Sequence, residues 1–455
     1  MKKKRQPGAV LSGCWLLALV VAACGGDDGK SSGGSGSGGN SGNAARPDGE
    51  GGSDTANGGS TAPTAGAKAS GGRNTGGSGV AGEVSRGGDS GVGGAAGSAK
   101  GGNAAGGSSG GSGPVVPSCL KSVGLGDVYL CVVDHDGAVA CRGKNDSGQL
   151  GIGGSPSSSD TFRAVSGFDA PVTSVWAGYG ENYAITGTGK VFRWGYVDFL
   201  TRDDVVPRPV DFSAQLPNAV KVLSGASHRC ALNGDKTLLC WGANNFNQLS
   251  DGSTGHVEPK PIPGLEGIAD LALAYQHSCV VKTDGTLWCW GTNALGQLGI
   301  GTKDEVKVPT QVAALGTSVV GVATRHDYSC ALTNDGKVSC WGRAGYDDNN
   351  GNPTPTTIDA LGNDVAALAL GDWHICALKL SGEVWCWSQD LTSTGKTPAV
   401  ASKTPALMPG LASDITDIWA GYFSSCARRK DGSVWCWGSD LGFTATPKQL
   451  AAACQ

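Results

Sequence analysis

Residues 279–291 read CVVKTDGTLWCWG: two cysteines with nine residues between them, then tryptophan and glycine. The phrase returns as CALTNDGKVSCWG from Cys330 and as CARRKDGSVWCWG from Cys426. In an antiparallel hairpin, residues that face each other have position numbers of constant sum. With Asp284-Gly285 as a two-residue turn, Cys279 would face Trp290 and the two sulfurs would point to opposite sheet faces. A three-residue loop, Thr283-Asp284-Gly285, shifts the sum by one and sets Cys279 opposite Cys289. That loop is a type I turn plus bulge, and its left-handed third residue favours glycine. Directly opposed Cα atoms lie about 4.5–5.5 Å apart, inside disulfide range. The spacing predicts a cross-strand disulfide.

Six pairs share it: Cys131–Cys141, Cys230–Cys240, Cys279–Cys289, Cys330–Cys340, Cys376–Cys386 and Cys426–Cys436. Five have glycine third in the loop (Gly137, Gly285, Gly336, Gly382, Gly432); the other has Lys236, with its glycine displaced to Gly234. A further copy, NYAITGTGKVFRWG, reads as one residue shorter, with Ala184 and Arg193 at the cysteine positions. Both cysteines are absent together, as partners should be, and an even loop, Thr188-Gly189, would restore the register. Zinc sites favour cysteines two to four residues apart, often with histidine, so no metal is expected here.

Trp-Gly or a variant falls at Arg142-Gly143, Trp194-Gly195, Trp241-Gly242, Trp290-Gly291, Trp341-Gly342, Trp387-Ser388 and Trp437-Gly438, at intervals of 46 to 52 residues. Extended stretches keep step with it (FRAV at 162, PRPV at 207, PKPI at 259, PTQV at 309, PTTI at 355, PALM at 405, PKQL at 447). Runs such as Val172–Ala177 and Ile415–Ala420 have strand periodicity, and no helix of useful length is evident. Seven units of this size, each a small antiparallel sheet, predict an all-β, seven-bladed β-propeller over 118–455. Its repeats fall at about 119–170, 171–218, 219–267, 268–317, 318–363, 364–413 and 414–455. Cys119 and Cys454 flank the array; a closed ring brings them together, so they are expected to bond and lock it.

Met1–Arg5 is basic and Val10–Ala23 is apolar but too short to span a bilayer, which reads as a bacterial export signal over 1–23. Val21-Ala22-Ala23-Cys24 resembles a lipoprotein lipobox, with Cys24 the lipidated residue; several acyl chains there would anchor stably. Leu11-Ser12-Gly13-Cys14 fits the same pattern, but cleavage there would leave almost no apolar core before the site. Residues 24–117 are mainly Gly, Ser, Ala, Asn and Thr, a composition that cannot bury enough apolar surface to order itself. They are expected to form a long disordered linker. Losing the first five residues leaves 31 basic residues against 39 acidic ones, a net charge near −8. Without a basic cluster, nucleic acid is not an expected partner.

The linkers after Trp-Gly carry a resemblance. Asn145-Asp146-Ser147-Gly148-Gln149-Leu150-Gly151 and Asn293-Ala294-Leu295-Gly296-Gln297-Leu298-Gly299 resemble the N-x-x-G-Q-L-G phrase of the regulator of chromosome condensation repeat, and Asn244 to Leu249 is a weaker copy. The preceding Gly225–Leu232 stretch is similar as well. The resemblance covers 119–455, most strongly in repeats one, three and four. It implies a seven-bladed propeller closed by pairing its terminal strands, and no single activity. Members include a guanine-nucleotide exchange factor, a plant ultraviolet receptor and bacterial β-lactamase inhibitors; all are discs that bind proteins on a face.

Candidate chemistry is sparse. His228, His277 and His374 each lie two residues before a hairpin cysteine, placed either to converge on the central channel or to pack between strands, as the repeat often uses them. Asp134-His135-Asp136-Gly137 lacks the further carboxylates of a calcium loop, and TDGTLW at 283–288 resembles a sialidase Asp-box with no arginine triad or paired carboxylates beside it. No catalytic residue, metal or cofactor is expected. Tyr179, Phe246, Tyr346 and Trp373 lie near loops where the repeat needs no aromatic, and are the candidate partner anchors. The favoured reading is an exported monomer, lipid-anchored at the cell surface or outer membrane. It binds a protein or glycan without catalysis. The alternatives are a polysaccharide-active enzyme and nucleotide exchange.

Overall fold

The computed structural model describes residues 114–115, 117–196, 205–343, 350–388, 404–439 and 441–454. Cys24, the expected signal and linker up to residue 113, and Tyr346 lie outside the described residues.

Seven four-stranded antiparallel sheets follow one another, each a meander of four consecutive strands. Blade 4 shows the pattern: Ile268–Leu273, His277–Lys282, Leu287–Gly291 and Val306–Gln311. The first strands of the seven blades (Leu120–Leu125, Val172–Ala177, Ala219–Ser224, Ile268–Leu273, Val319–Arg325, Val365–Leu370, Ile415–Ala420) all line one axial cavity of about 100 Å³. The fold is a seven-bladed β-propeller. The only helical segments among the described residues are two single turns, Ala313–Leu315 and Asp359–Leu361.

The interior is divided among the blade interfaces. Seven apolar clusters form, each shared by two neighbouring blades. Each hairpin disulfide sits in one of them and faces the next blade. Cys279 and Cys289, for instance, pack with Val319, Val322 and Trp341 of blade 5. A two-layer sheet contact buries one face of each blade on the next, so no blade has a core of its own. The tryptophans of Trp194, Trp290, Trp341, Trp387 and Trp437 are all fully buried at these interfaces.

The hairpin register is direct: Cys131↔Cys141, Cys230↔Cys240, Cys279↔Cys289, Cys330↔Cys340, Cys376↔Cys386 and Cys426↔Cys436. Their Cα atoms lie 4.1–4.2 Å apart and each pair is bonded. In blade 3 Lys236 takes the left-handed position itself, at φ 70°. That conformation costs a non-glycine residue roughly 1–2 kcal/mol. A β-carbon on Gly234 would meet nothing closer than 3.7 Å. Exchanging the two by Gly234→Ala with Lys236→Gly should therefore raise stability by about 1 kcal/mol, read as a higher midpoint in chemical denaturation.

Blade 2 corrects the sequence reading. Its hairpin is not shortened: Thr186 N–H donates to Lys190 O across the three-residue loop Gly187-Thr188-Gly189. The residues at the cysteine positions are Tyr183 and Arg193, directly opposed, and Ala184 faces Phe192 instead. Tyr183 occupies the interface a disulfide fills elsewhere, edge-on to Trp241 at 6.0 Å, and the Arg193 guanidinium lies 4.1 Å from the Phe212 ring centroid. An aromatic ring and its cation–π neighbour replace the sulfur bridge.

Closure also differs from the expectation drawn from the resemblance. Blade 1 begins with its own inner strand, so the terminal strands do not share a sheet. The ends meet through a single parallel bridge, Ser118↔Ala452, and through the Cys119–Cys454 disulfide, Cα–Cα 4.5 Å. Arg428 Nη1 of blade 7 donates to Leu120 O at 3.2 Å, and Arg142, where the other blades have tryptophan, donates to Leu441 O at 3.1 Å. A β-carbon on Gly432 would fall 2.3 Å from Cys454 Sγ, so this glycine is needed for space as well as for its φ of 82°.

Candidate functional site

A four-stranded meander puts its first-to-second turns and third-to-fourth linkers on one face of the disc. Hairpin tips and blade-to-blade connections lie on the other. The first-to-second turns have four residues: Gly126–Tyr129, Gly178–Glu181, Gly225–His228, Ala274–His277, Arg325–Tyr328, Gly371–His374 and Gly421–Ser424. The repeat fixes the first and fourth of these positions and leaves the middle two free.

The first position is small because the neighbouring blade is close; a β-carbon on Gly225 would meet Ala274 O at 2.3 Å. The fourth position clasps the next blade. His228 Nε2 pairs with Ser278 Oγ at 2.7 Å, His277 Nε2 with Ser329 Oγ at 2.9 Å, and His374 Nε2 with Ser425 Oγ at 2.6 Å. Tyr129 donates to Glu181 O at 2.8 Å, and Tyr328 to Gly371 O. Between blades 2 and 3 the clasp is a buried ion pair, Arg229 Nε to Glu181 Oε1 at 2.6 Å. At the ring closure the position holds Ser424, whose hydroxyl has no partner among the described residues. The histidines therefore do not converge on the channel. They are fully buried between blades, and burial lowers their pKa to about 3 for His228 and about 4 for His277 and His374.

The clasps are interchangeable in register. Glu181→Ala removes the carboxylate from a buried arginine and should cost about 3–5 kcal/mol. Glu181→His with Arg229→Ser rebuilds the histidine–serine pairing of blades 3 and 4, and should recover most of that loss in urea denaturation.

The N-x-x-G-Q-L-G linkers lock the interfaces from the outside. Asn293 Oδ1 accepts from Leu298 N–H, and its Nδ2 donates to Thr302 O and Asp304 O. The Gln297 carbonyl then accepts from Trp341 Nε1 of the next blade at 2.9 Å. Gln149 O–Trp194 and Gln248 O–Trp290 repeat this at 3.1 and 2.8 Å.

The free turn positions meet at the mouth of the axial cavity. Tyr179 packs edge-on to Tyr275 with centroids 4.8 Å apart; Tyr275 contacts His326 at 4.7 Å, and His326 contacts Trp373 at 5.2 Å. Blade 5 alone has a large residue at the first turn position, Arg325. Its guanidinium pairs with the buried Asp372 carboxylate of blade 6 and lies 4.8 Å from the Tyr179 ring of blade 2, across the axis. Burial opposes the charge on Arg325, but Asp372 more than offsets this and holds its pKa above the ordinary value. Burial, with Asp372 second, pushes Tyr275 up to about 12. Burial and the Asp372 and Asp127 carboxylates raise Tyr422. All these phenols are neutral at physiological pH.

Of the expected anchors, Tyr179 and Trp373 come together here. Tyr179 is half-buried and engaged with Tyr275 and Arg325, not a free exposed ring. Phe246 is half-buried in the blade 3 linker on the same face, outside the mouth. Tyr275, His326, Tyr422, Arg325 and Asp372 were not legible as a site. Arg325 carried the one available signal, a large cation where the other turns have glycine or alanine. Among the described residues, no group of three or more His, Cys, Asp or Glu is placed to hold a metal ion.

Four-stranded blades in a closed ring of seven define the class as a propeller. The chain carries regulator of chromosome condensation (RCC1) repeats: models of that repeat match 284–332, and 219–248, 268–297, 365–390 and 415–441. Human HERC2, an E3 ubiquitin-protein ligase, is 31% identical over 151 residues, 32% of this chain and 3% of that protein. Arabidopsis thaliana RUG3, a mitochondrial RCC1 domain-containing protein, is 28% identical over 241 residues, 50% of this chain and 54% of that one. The chain thus spans about half or less of the length of these relatives. Yeast Prp20p superposes with TM-score 0.60 at 20% identity, covering 68% of this chain and 82% of Prp20p. Human WBSCR16 gives 0.60 at 20% identity, covering 69% and 94%.

Proposed function

We propose that this protein is a non-catalytic binding disc, anchored to the bacterial cell envelope by lipid on Cys24, which holds a protein or glycan partner on its first-to-second turn face. The observation that carries the reading is the mouth. Residues the repeat leaves free supply the rings of Tyr179, Tyr275, His326 and Trp373 from four blades to one surface. Aromatic clusters on a rigid support are the usual anchors of interfaces. Export fits the seven disulfides, which persist in oxidising compartments. The Bos taurus relative named secretion-regulating guanine nucleotide exchange factor, 28% identical over 155 residues, offers exchange as an alternative, but no GTPase would meet the disc outside the cytoplasm.

The test is capture from envelope extracts by the full chain, with Trp373→Ala as control. A partner retained by the parent and lost with the variant supports the reading; retention of a GTPase instead would overturn it. Metabolic labelling with palmitate should mark the parent and not Cys24→Ser.

A further inference from the structure

Arg142 departs from the pattern of its position. The other six blades place tryptophan there, and Trp194, Trp290 and Trp341 donate Nε1–H to a carbonyl of the preceding linker. Arg142 keeps that bond across the seam, with Nη2 donating to Leu441 O at 3.1 Å. Its guanidinium lies 4.9 Å from the Phe443 ring centroid and 5.3 Å from that of Phe162. An indole has one donor and no charge; a guanidinium brings several donors and a permanent positive charge. The Arg142 Nε has no hydrogen-bond partner among the described residues.

Arg142 lines a pocket of about 450 Å³ between blades 1 and 7 on the turn face, with Lys144, Ser158, Ser159, Asp160 and Leu441. The wall is strand, not loop tip: Lys144 is directly opposed to Ser158, and Gly143 to Ser159. Ser159 is buried with its hydroxyl donated to Thr161 O at 2.8 Å, whereas Lys144 and Ser158 are exposed. Among the described residues neither Arg142 nor Lys144 forms an ion pair. Burial lowers the Arg142 pKa, and the Asp160 carboxylate opposes that shift without cancelling it. The lining thus sets two cations against one carboxylate. A net charge of one sign and one unit matches a monoanion, whereas a phosphate dianion would also meet Asp160. The chain's formal net charge of −4 disfavours long polyanions. No aromatic ring lines the pocket, so a sugar would find no stacking platform.

We propose that this seam pocket binds a carboxylate side chain of a protein partner, aspartate or glutamate, between Arg142 and Lys144, with the Ser158 hydroxyl donating to it. The planar guanidinium suits a carboxylate, and a bond between two ionised groups is stronger than a neutral one. The pocket is a second contact on the turn face, and it stands on its own lining whether or not the aromatic mouth is used.

The test titrates the full chain calorimetrically with acetyl-Gly-Glu-Gly-amide, with its glutamine counterpart, and with inorganic phosphate. Blocked ends leave the side-chain charge as the one difference between the peptides. The glutamate peptide should bind roughly tenfold more tightly than the glutamine form, the margin shrinking as salt is added. Arg142→Gln should remove that margin. Because Arg142 also holds the seam, Lys144→Gln is the second variant: its side chain is exposed, so the melting transition should be retained while glutamate binding weakens roughly threefold. Asp160→Asn should act in the opposite direction and tighten glutamate binding roughly two- to threefold, a gain that damage to the fold does not produce. Equal affinity for the two peptides would overturn the proposal, as would tighter binding of phosphate than of the glutamate peptide. Parental affinity in both Lys144→Gln and Asp160→Asn would overturn it too. A partner captured through Trp373 by a chain that binds no glutamate peptide would reject this pocket and leave the binding disc standing.

Discussion

Lowering the pH from 7 to 5 should cost the propeller about 6 kcal/mol of stability, with no carboxylate titration needed. His228, His277 and His374 are buried and neutral, with pKa values lowered by desolvation to about 3, 4 and 4. In the unfolded chain each returns to about 6.5. Above that value both states are uncharged, and the histidine–serine clasps contribute fully. As pH falls from 6.5 towards 4, the unfolded chain binds protons the folded one refuses, so stability is lost over that window. Each histidine loses roughly 2 kcal/mol by pH 5. The paired aspartates, including Asp284 and Asp431, are held below the usual carboxylate range and act lower on the scale. Urea denaturation between pH 7 and 5 checks this. His→Asn at all three positions should lower stability at pH 7 but flatten the slope. A parent protein equally stable at both values would remove the buried-clasp account.

The second large effect lies at the seam. Six blade interfaces have a polar clasp at the fourth turn position; the seventh has Ser424 there, and is held by the Cys119–Cys454 bond with the Arg428 and Arg142 hydrogen bonds beside it. That bond closes a loop of 335 residues, for which chain entropy gives roughly 5–6 kcal/mol. Cys119→Ser with Cys454→Ser leaves no unpaired thiol and should lower the thermal midpoint by far more than loss of any single hairpin bridge, whose short loop is worth roughly 3 kcal/mol. Hydrogen exchange should rise first in Leu120–Leu125 and Ile415–Ala420, the inner strands on either side. A loss spread evenly over all blades would mean that the seam is held by something other than this bond.

Much of the fold was legible because one arithmetic constraint, the constant sum across a hairpin, fixes register wherever two cysteines mark it. Where the marks are missing, the reading slipped. In blade 2, Tyr183 gives no sign that it stands in for a sulfur, and the spacing points to Ala184 instead. Lys236 showed the opposite case, a position whose backbone demand survives the loss of its glycine. The histidines were visible as a set, but whether they point to the axis or to a neighbour depends on blade packing, which spacing does not encode. The mouth was least legible. Tyr179, Tyr275, Arg325 and Asp372 are separated by about one or more whole repeats, and only ring closure brings them within contact. Tyr179 and Trp373 stood out as aromatics the repeat does not require, and Phe246 stood out equally without joining them.

The central claim is that matching hairpins are each stapled within one ring, and that the ring itself is closed by a separate, accessible bond. The hairpin cysteines are at most 3% exposed, whereas Cys454 is exposed. Non-reducing peptide mapping of the full chain, before and after a dithiol reductant without denaturant, measures this directly. It should find all seven pairings first, and afterwards free thiols only at Cys119 and Cys454. Free hairpin thiols in the untreated protein, or a bond joining cysteines of two different repeats other than the first and last, would contradict it.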